Sequence, residues 1–345
     1  MKKILKGKFD RLRQLSNASG TFSALAIDQR GSLESMVQSS MPEGAYTGEY
    51  AKEFKRLVSK ELTPYISAIL LDKKLGISAI SAKSDTCGLI LSYEKAGSEV
   101  FSTPGKIPEI LLNESCKRMV DFGADALKVL VYYNPDDDFD VLDKKHAFLE
   151  RLGNEARAAE IPIFVEPLVY DNTVTDQGTK EFAKLKAKKV KATVAEFSKS
   201  KYQIDVLKIE LPFNYKYVES FVEKENSTVL YTKEEVKQDL IQIGELASCP
   251  IIYLSAGVPT DVFRKELNLV NNSGAKYSGV LCGRATWQDG VSIYATEGAA
   301  ALTEWLQTTG KQNVQELNKL LDHGATPWYD IYGGLDNIEV VEQSY

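Results

Sequence analysis

Short apolar runs alternate with longer amphipathic stretches along most of the chain. The apolar runs have few polar interruptions, which is typical of strands buried on both faces of a parallel sheet. Eight of these runs predict strands, at residues 22–28, 68–72, 88–93, 125–133, 161–170, 205–212, 250–256 and 277–283. A strand followed by a helix, repeated eight times, predicts an α/β fold of the closed (β/α)8 TIM barrel type. An open doubly wound sheet is the alternative, but no GxGxxG motif follows an early strand.

Local signals indicate where several helices begin and end. Thr232 and Glu235 form a capping-box pattern, which predicts the start of a helix over 232–247. Gly123 and Gly274 come shortly before predicted strands, as expected for glycine C-caps.

No long linker rich in Pro, Gly or Ser divides the chain. We therefore predict a single barrel domain over residues 1–345. The first twenty residues predict an additional helix outside the barrel, and a C-terminal tail from about 323 to 345 shows no regular period.

Charged residues inside the apolar runs are the most informative feature for function. Lys208 lies in the sixth predicted strand, where an unpaired ammonium is costly to bury. Such a group tends to lose its proton, and a neutral amine can attack a carbonyl carbon to form a Schiff base. Asp28 ends the first predicted strand, while Lys128 and Glu166 lie in the fourth and fifth. Reacting groups of barrels come from the C-terminal ends of strands, so we predict that these four residues are catalytic.

Side-chain alternation along strands indicates which residues point into the barrel. Val206, Lys208 and Glu210 share one face, and we expect that face to turn inward. Lys128 and Lys208 would then each lower the pKa of the other, because two like charges close together disfavour the protonated form of both. A buried ion-pair network that only packs the interior is the alternative. Asp72, which ends the second strand, could equally cap the next helical segment.

Small residues follow the last two predicted strands. Ser255, Ala256 and Gly257 come after the seventh strand, and Gly283 and Arg284 come after the eighth. Small side chains let backbone N–H groups approach an anion closely, and loops at these positions are the usual phosphate site of such barrels. Arg284 adds positive charge and bidentate geometry. We predict that these residues bind the substrate; ordinary tight turns between strand and helix are the alternative.

Composition limits the kinds of partner. The net charge of −6 at pH 7 argues against nucleic acid or an anionic membrane as the main partner. No run of about 18 apolar residues predicts a transmembrane helix, and no apolar stretch follows the basic N-terminus as in a signal peptide. The four cysteines form no CxxC pair, which suggests free thiols in a reducing cytoplasm.

Metal chemistry has little support in the sequence. His146 and His323 are the two histidines, and neither has a partner at the spacing of a metal site. The acidic run at 134–138 lacks the EF-hand spacing, so we interpret it as a solvated loop. We predict neither a metal nor another cofactor.

From about Ser23 to Trp328, the chain resembles the class I tagatose-1,6-bisphosphate aldolases of the bacterial tagatose-6-phosphate pathway. The resemblance is carried by ALAIDQRG (24–31), SAILLD (67–72), ALKVLVYY (126–133), DVLKIELP (205–212), YLSAGV (253–258) and GVLCGRATW (279–287). It implies a (β/α)8 barrel, a homodimer and no cofactor. The tail beyond Trp328 is longer than the resemblance leads us to expect, and aldolases often place such segments over the active site.

The resemblance also implies residue roles. Lys208 matches the Schiff-base lysine and Glu166 the acid/base, while Asp28 and Lys128 match residues that assist at the reacting centre. Positions that hold the substrate and its phosphates are matched by Gln29, Arg30, Ser255, Gly257, Gly283 and Arg284.

The implied reaction is cleavage of D-tagatose 1,6-bisphosphate to dihydroxyacetone phosphate and D-glyceraldehyde 3-phosphate. Other Schiff-base lyases remain as alternatives, acting on sulfofructose phosphate, fructose 1,6-bisphosphate or deoxyribose phosphate. A barrel that senses sugar phosphates without turnover is the non-catalytic alternative.

Overall fold

The computed structural model describes residues 1–222 and 228–343, and its centre is a closed barrel of eight parallel strands in sequence order. The predicted fold class is confirmed. Each predicted strand contains one barrel strand, and a two-stranded parallel sheet lies beside the barrel. The strands are β1 (Lys2–Leu5), β2 (Phe22–Ala26), β3 (Ala68–Leu71), β4 (Gly88–Ser92), β5 (Ala126–Tyr133), β6 (Ile163–Val169), β7 (Val206–Ile209), β8 (Ile251–Tyr253), β9 (Gly279–Cys282) and β10 (Ile338–Val341).

Helices surround the barrel and follow its strands. Thr232 and Glu235 form the predicted capping box at the start of α9, and Gly123 and Gly274 end α6 and α10 in the left-handed conformation. In the described part of the chain, no helix has the length and apolarity needed to cross a membrane. The helices are α1 (Lys6–Leu15), α2 (Gly31–Ser39), α3 (Gly48–Leu62), α4 (Ile77–Ala82), α5 (Gly97–Phe101), α6 (Cys116–Phe122), α7 (Phe139–Ala158), α8 (Lys180–Phe197), α9 (Lys233–Leu246), α10 (Thr260–Ser273), α11 (Arg284–Trp287), α12 (Asp289–Glu297), α13 (Ala299–Trp305) and α14 (Lys311–Gly324).

The barrel closes where β9 pairs with β2. Phe22 is the register partner of Gly279, whose φ of 137° favours glycine. A Cβ atom at this glycine would lie 2.0 Å from the carbonyl oxygen of Phe22. The absence of a side chain at position 279 therefore lets the first and last strands of the barrel approach each other.

Strand alternation divides the apolar residues into two cores. Outward residues such as Leu207 and Ile209 pack against the surrounding helices. Inward residues such as Ala126, Phe164 and Val206 fill the N-terminal half of the barrel. Lys128, two residues after Ala126, therefore points inward on the next layer towards the C-terminal end. The barrel interior is dry at one end and charged at the other.

The two termini together cover the N-terminal end of the barrel. Leu15 of α1 packs into the inner core with Trp328 and Ile338, and the backbone N–H of Trp328 donates to the carbonyl of Gly20 at 2.8 Å. The tail, in which the sequence shows no regular period, forms β10 and pairs with β1. It lies at the end of the barrel opposite the charged layer, and therefore away from the predicted catalytic residues.

We expect Trp328→Ala to lower the free energy of unfolding by about 3–5 kcal/mol, because it removes a fully buried indole and leaves a cavity. Leu335→Ala is the control, since Leu335 lies in the same tail with 47% of its surface exposed. Urea unfolding of both variants measures the difference. Equal stability of the two variants would contradict the role of Trp328 in covering the N-terminal end of the barrel.

Candidate active site

The ammonium of Lys128 is the centre of the charged layer. Its Nζ atom lies 3.0 Å from Asp28 Oδ2, 2.9 Å from Glu94 Oε1 and 2.8 Å from Glu166 Oε2. All four side chains are almost completely buried. Three carboxyl oxygens match the three N–H donors of one ammonium, so Lys128 has no donor left for another partner.

Lys208 joins the same network through Glu166. Its Nζ atom lies 2.9 Å from Glu166 Oε1, while the other oxygen of that carboxylate contacts Lys128. Glu166, on β6, is therefore shared by two amines on the strands that flank it, β5 and β7. The four residues predicted to be catalytic are brought together in one contact network.

Mutual attraction sets the protonation of the network. Burial alone would lower the pKa of Lys128, but the charges of Asp28, Glu166 and Glu94 outweigh burial and raise it well above its usual range. Burial would raise the pKa of Asp28, yet Lys128 and Lys208 lower it to about 2. The pKa of Glu166 is lowered against burial by the same two lysines. The expectation that repulsion between the amines disfavours the protonated form is wrong for Lys128, because it overlooked the carboxylates around it.

Glu94 behaves differently from its two acidic neighbours. Burial raises the pKa of its carboxyl group, Lys128 opposes that rise, and the charge of Asp28 adds to it. The net shift is upward. Oε2 of Glu94 is buried without a hydrogen-bond partner in the described structure.

A cavity of about 720 Å³ opens above this network at the C-terminal end of the strands. Gln29 and Arg30, which follow β2, line it beside the four predicted catalytic residues, and so does Arg284, which follows the adjacent strand β9. Both Nη atoms of Arg30 donate to the backbone carbonyl of Glu94, each at 3.1 Å. Gln29 Oε1 is buried without a partner in the described structure.

The loop after β8 lines a neighbouring cavity of about 350 Å³. Ser255, Ala256 and Gly257 lie there, and the two cavities share Gln177 and Gly178 as a wall. These predicted substrate-binding residues are therefore set apart from the catalytic network.

Arg284 connects the two cavities. A Cβ atom at Gly257 would lie 2.6 Å from Arg284 Nη2, so the guanidinium packs directly against that glycine. Gly283 lies near Gln29 but less closely: a Cβ atom there would lie 3.5 Å from Gln29 Nε2, an ordinary van der Waals contact. The predicted phosphate residues after β8 and β9 thus meet at Arg284, beside the catalytic network.

Several predictions from the sequence are corrected by the structure. Glu210 does not join the network: β7 ends at Ile209, and Glu210 Oε2 instead accepts from the backbone N–H of Val169 at 2.9 Å in the neighbouring cavity. Asp72 forms a fully buried ion pair with Lys55, and its Oδ1 also accepts from the backbone N–H of Leu75 at 2.7 Å in the turn before α4, in line with the alternative of a local cap.

The run 134–138 is not a solvated loop throughout. Asp137 lies 3.1 Å from Lys145, and Lys189 donates to the side chain of Asn134. Both lysines are buried, so these acidic and amide groups are structural partners of buried ammonium ions.

Glu94 is the site residue that the sequence analysis missed. It lies two residues beyond the end of β4, just outside the predicted strand 88–93. Asp28 has the same offset from the end of β2 and was identified because its predicted strand reached it. Extending every strand by two residues would have found both.

No cluster of three or more His, Cys, Asp or Glu side chains in residues 1–222 and 228–343 is arranged to hold a metal ion. His146 Nε2 instead lies 3.0 Å from the hydroxyl of Tyr133, and burial lowers its pKa. His323 lies in the last turn of α14.

We expect Lys128→Met to lower the free energy of unfolding by about 3–5 kcal/mol at pH 7, because three carboxyl groups lose their shared cation. Without it, their pKa values in the folded state rise above those in the unfolded chain. The folded variant then binds protons more tightly, so its stability increases as pH falls towards about 4.

Urea unfolding at a series of pH values measures this effect against Lys144→Met, which breaks an exposed pair with Asp140 and should change stability by less than about 0.5 kcal/mol. If the loss of free energy of unfolding in Lys128→Met does not become smaller at lower pH, the proposed role of Lys128 in the charge network is wrong.

A family model described as DeoC/LacD family aldolase matches residues 22–289. Two similar curated proteins are both named tagatose 1,6-diphosphate aldolase. The one from Listeria monocytogenes is 50% identical over 343 residues, covering 99% of this chain and 100% of its own. The one from Staphylococcus aureus is 44% identical over 321 residues, covering 93% of this chain and 97% of its own.

A solved structure of fructose-bisphosphate aldolase from Plasmodium falciparum, in complex with TRAP and a small-molecule inhibitor, has a TM-score of 0.68 at 13% identity. The match covers 94% of this chain and 98% of that chain, and it concerns the barrel fold alone. The Listeria relative aligns with nearly the whole chain, so the expectation that the tail exceeds the family length is wrong. The chain belongs to the DeoC/LacD aldolase family.

Proposed function

We propose that this aldolase cleaves D-tagatose 1,6-bisphosphate to dihydroxyacetone phosphate and D-glyceraldehyde 3-phosphate through a Schiff base on Lys208. The observation that carries the proposal is the contact of Lys208 Nζ with Glu166 Oε1 at 2.9 Å, buried at the floor of an open cavity. The names of the two curated relatives support the choice of sugar.

Formation of the Schiff base requires an amine and a proton acceptor in contact. Glu166 accepts a hydrogen bond from Lys208 and can take its proton, which leaves a neutral amine to attack the C2 ketone. The resulting carbinolamine loses its hydroxyl group as water, with a proton returned by the same acid. The product is an iminium ion, which withdraws electrons from C3.

Bond cleavage then uses the carboxylate again. Glu166 removes the proton of the C4 hydroxyl, the C3–C4 bond breaks, and its electron pair moves into the iminium to form an enamine. Glyceraldehyde 3-phosphate leaves. Glu166 returns its proton to the enamine at C3, and addition of water to the resulting iminium releases dihydroxyacetone phosphate and regenerates Lys208. Lys128 holds Glu166 and Asp28 in place during these steps and favours the ionised form of both before the substrate binds.

The positive charge beside the catalytic network provides a place for substrate phosphate. Arg284 lines the reaction cavity and packs against Gly257, and its planar guanidinium suits a phosphate group. A phosphate at this position lies on the β8–β9 side of the cavity, next to the strand that carries Lys208.

The cellular setting is part of the same proposal. Four free cysteines, all buried, suit a reducing cytoplasm, and the substrate is a small phosphorylated sugar rather than a macromolecule. The resemblance to class I aldolases adds a homodimer.

Reductive trapping tests the mechanism. Borohydride added with dihydroxyacetone phosphate should attach the three-carbon unit to Lys208 alone, as peptide mapping by mass spectrometry would show. Lys208→Met should abolish both the adduct and cleavage of the bisphosphate, whereas Lys144→Met, a change at an exposed lysine, should leave both intact.

EDTA should have no effect on cleavage, because no step uses a metal. Modification of another lysine in place of Lys208, or cleavage activity in the Lys208 variant, would contradict the Schiff-base assignment.

Gly257→Ala tests the phosphate role of Arg284. The new methyl group would displace the guanidinium, so we expect KM for the bisphosphate to rise about 10-fold or more, as for loss of a charge-assisted hydrogen bond. Gly334→Ala is the matched control: its φ is also positive, at 97°, but nothing lies within 4 Å of the added atom. Steady-state kinetics of both variants make the comparison, and equal KM values would contradict the assignment.

A further inference from the structure

One carboxyl oxygen of Glu94 has no hydrogen-bond partner among the described residues. Oε1 of its carboxyl accepts from Lys128 at 2.9 Å, whereas Oε2 is buried and unpartnered among the described residues. The side chain is only 4% exposed and lines the reaction cavity. A buried polar atom without a partner is costly, so this oxygen has a reason to meet a group of the bound substrate.

The backbone holds this carboxyl group in one direction. Both Nη atoms of Arg30 donate to the Glu94 carbonyl, and Glu94 forms an antiparallel bridge with Ile110. Contacts on both sides of the chain therefore fix Glu94 although it lies outside a strand.

The ion-pair contacts indicate which form the carboxyl group takes. Asp28, Glu94 and Glu166 all share the ammonium of Lys128. Glu166 contacts both lysines, and Asp28 is influenced by both. Glu94 contacts one lysine only and is the group best placed to keep its proton. The charged groups that face it are Lys128, Asp28, Glu166 and Arg30.

The position of Glu94 in the barrel indicates which part of the substrate it meets. Lys208 lies on β7, and Arg284 follows β9, so a phosphate on C1 and the Schiff-base carbon occupy that side. Glu94 follows β4, which is three strands from β7 in one direction around the barrel. The rest of the sugar, which leaves as the aldehyde, must extend across the cavity towards it.

We propose that Glu94, in its neutral form, donates a hydrogen bond from Oε2 to a hydroxyl group in the aldehyde half of the sugar, and so acts as a specificity-determining residue. The proposal rests on the Schiff-base function above and deepens it by assigning a contact to the half that departs. Oε1 continues to accept from Lys128, so one carboxyl group connects the charge network with the substrate.

Two substitutions separate a neutral donor from an ionised one. Glu94→Gln keeps an acceptor for Lys128 and a donor for the substrate, so at neutral pH it should retain most of the kcat/KM for tagatose 1,6-bisphosphate that Glu94→Met loses. Glu94→Met removes the donor and should lower kcat/KM about 10- to 100-fold. Glu109→Met is the control, because Glu109 lies on the neighbouring segment and forms an exposed pair with Lys95.

The pH profile gives a second signature. Ionisation of Glu94 removes its donor, so wild-type kcat/KM should fall as pH rises through the pKa of this group, which burial raises. An amide does not ionise, so that fall should be absent in Glu94→Gln.

Reductive trapping with dihydroxyacetone phosphate distinguishes this inference from the proposed function. That ligand lacks the aldehyde half, so Glu94→Met should be trapped at Lys208 at the wild-type rate although it cleaves the bisphosphate slowly. The inference is overturned if Glu94→Met cleaves normally, if it loses trapping as severely as cleavage, or if Glu94→Gln is as impaired as Glu94→Met. Failure of the wild-type protein to trap would instead overturn the Schiff-base function itself.

Discussion

Lys128 allows three carboxyl groups to share one buried space. Asp28, Glu94 and Glu166 would repel one another at this separation, and burial of each charge without a partner would cost several kcal/mol. The ammonium offsets both costs by donating one hydrogen bond to each group. Every catalytic proposal for this barrel depends on that arrangement, because it holds Glu166 ionised against Lys208.

The dry N-terminal half of the barrel makes this arrangement effective. Phe22 and Phe164 pack edge-on inside the barrel, and the terminal segments close its lower end with Trp328. Water is therefore kept from the network on that side, and charges interact more strongly where the local dielectric is low. The apolar layer and the charged layer above it therefore depend on each other. The apolar layer strengthens the ion pairs by excluding water, and the ion pairs offset the cost of burying charged groups inside the barrel.

The sequence was sufficient wherever a residue lay within a regular strand. The apolar runs predicted all eight barrel strands, and a period of two placed Lys128, Glu166 and Lys208 on the inner face. That period fails beyond the strand ends. Glu210 follows the last residue of β7 and turns to Val169 instead, while Glu94 reaches the network from a loop.

Contacts between separate elements of the chain could not be predicted from the sequence either. Lys55 meets Asp72 from a helix, and β1 pairs with β10 from the opposite end of the chain. Nothing local in a four-residue strand or in a helical lysine identifies such a partner, because the contact exists only after the separate elements have packed together. The pKa of Lys128 was mispredicted for a different reason: the sequence analysis weighed its repulsion by Lys208 and not its attraction to Asp28, Glu166 and Glu94, which outweighs burial.

The distribution of charge around the cavity gives the substrate a direction. Carboxyl groups from β6 and from just after β2 and β4 converge on Lys128 at the floor of the cavity, whereas Arg284 follows β9, two strands from the strand of the nucleophile. A phosphate group is repelled by the first region and attracted by the second, and a polyol chain can form hydrogen bonds with carboxyl groups in either protonation state. The network that activates Lys208 therefore also orients the sugar, since the same carboxyl groups that accept protons exclude phosphate from the place where the carbon–carbon bond must lie.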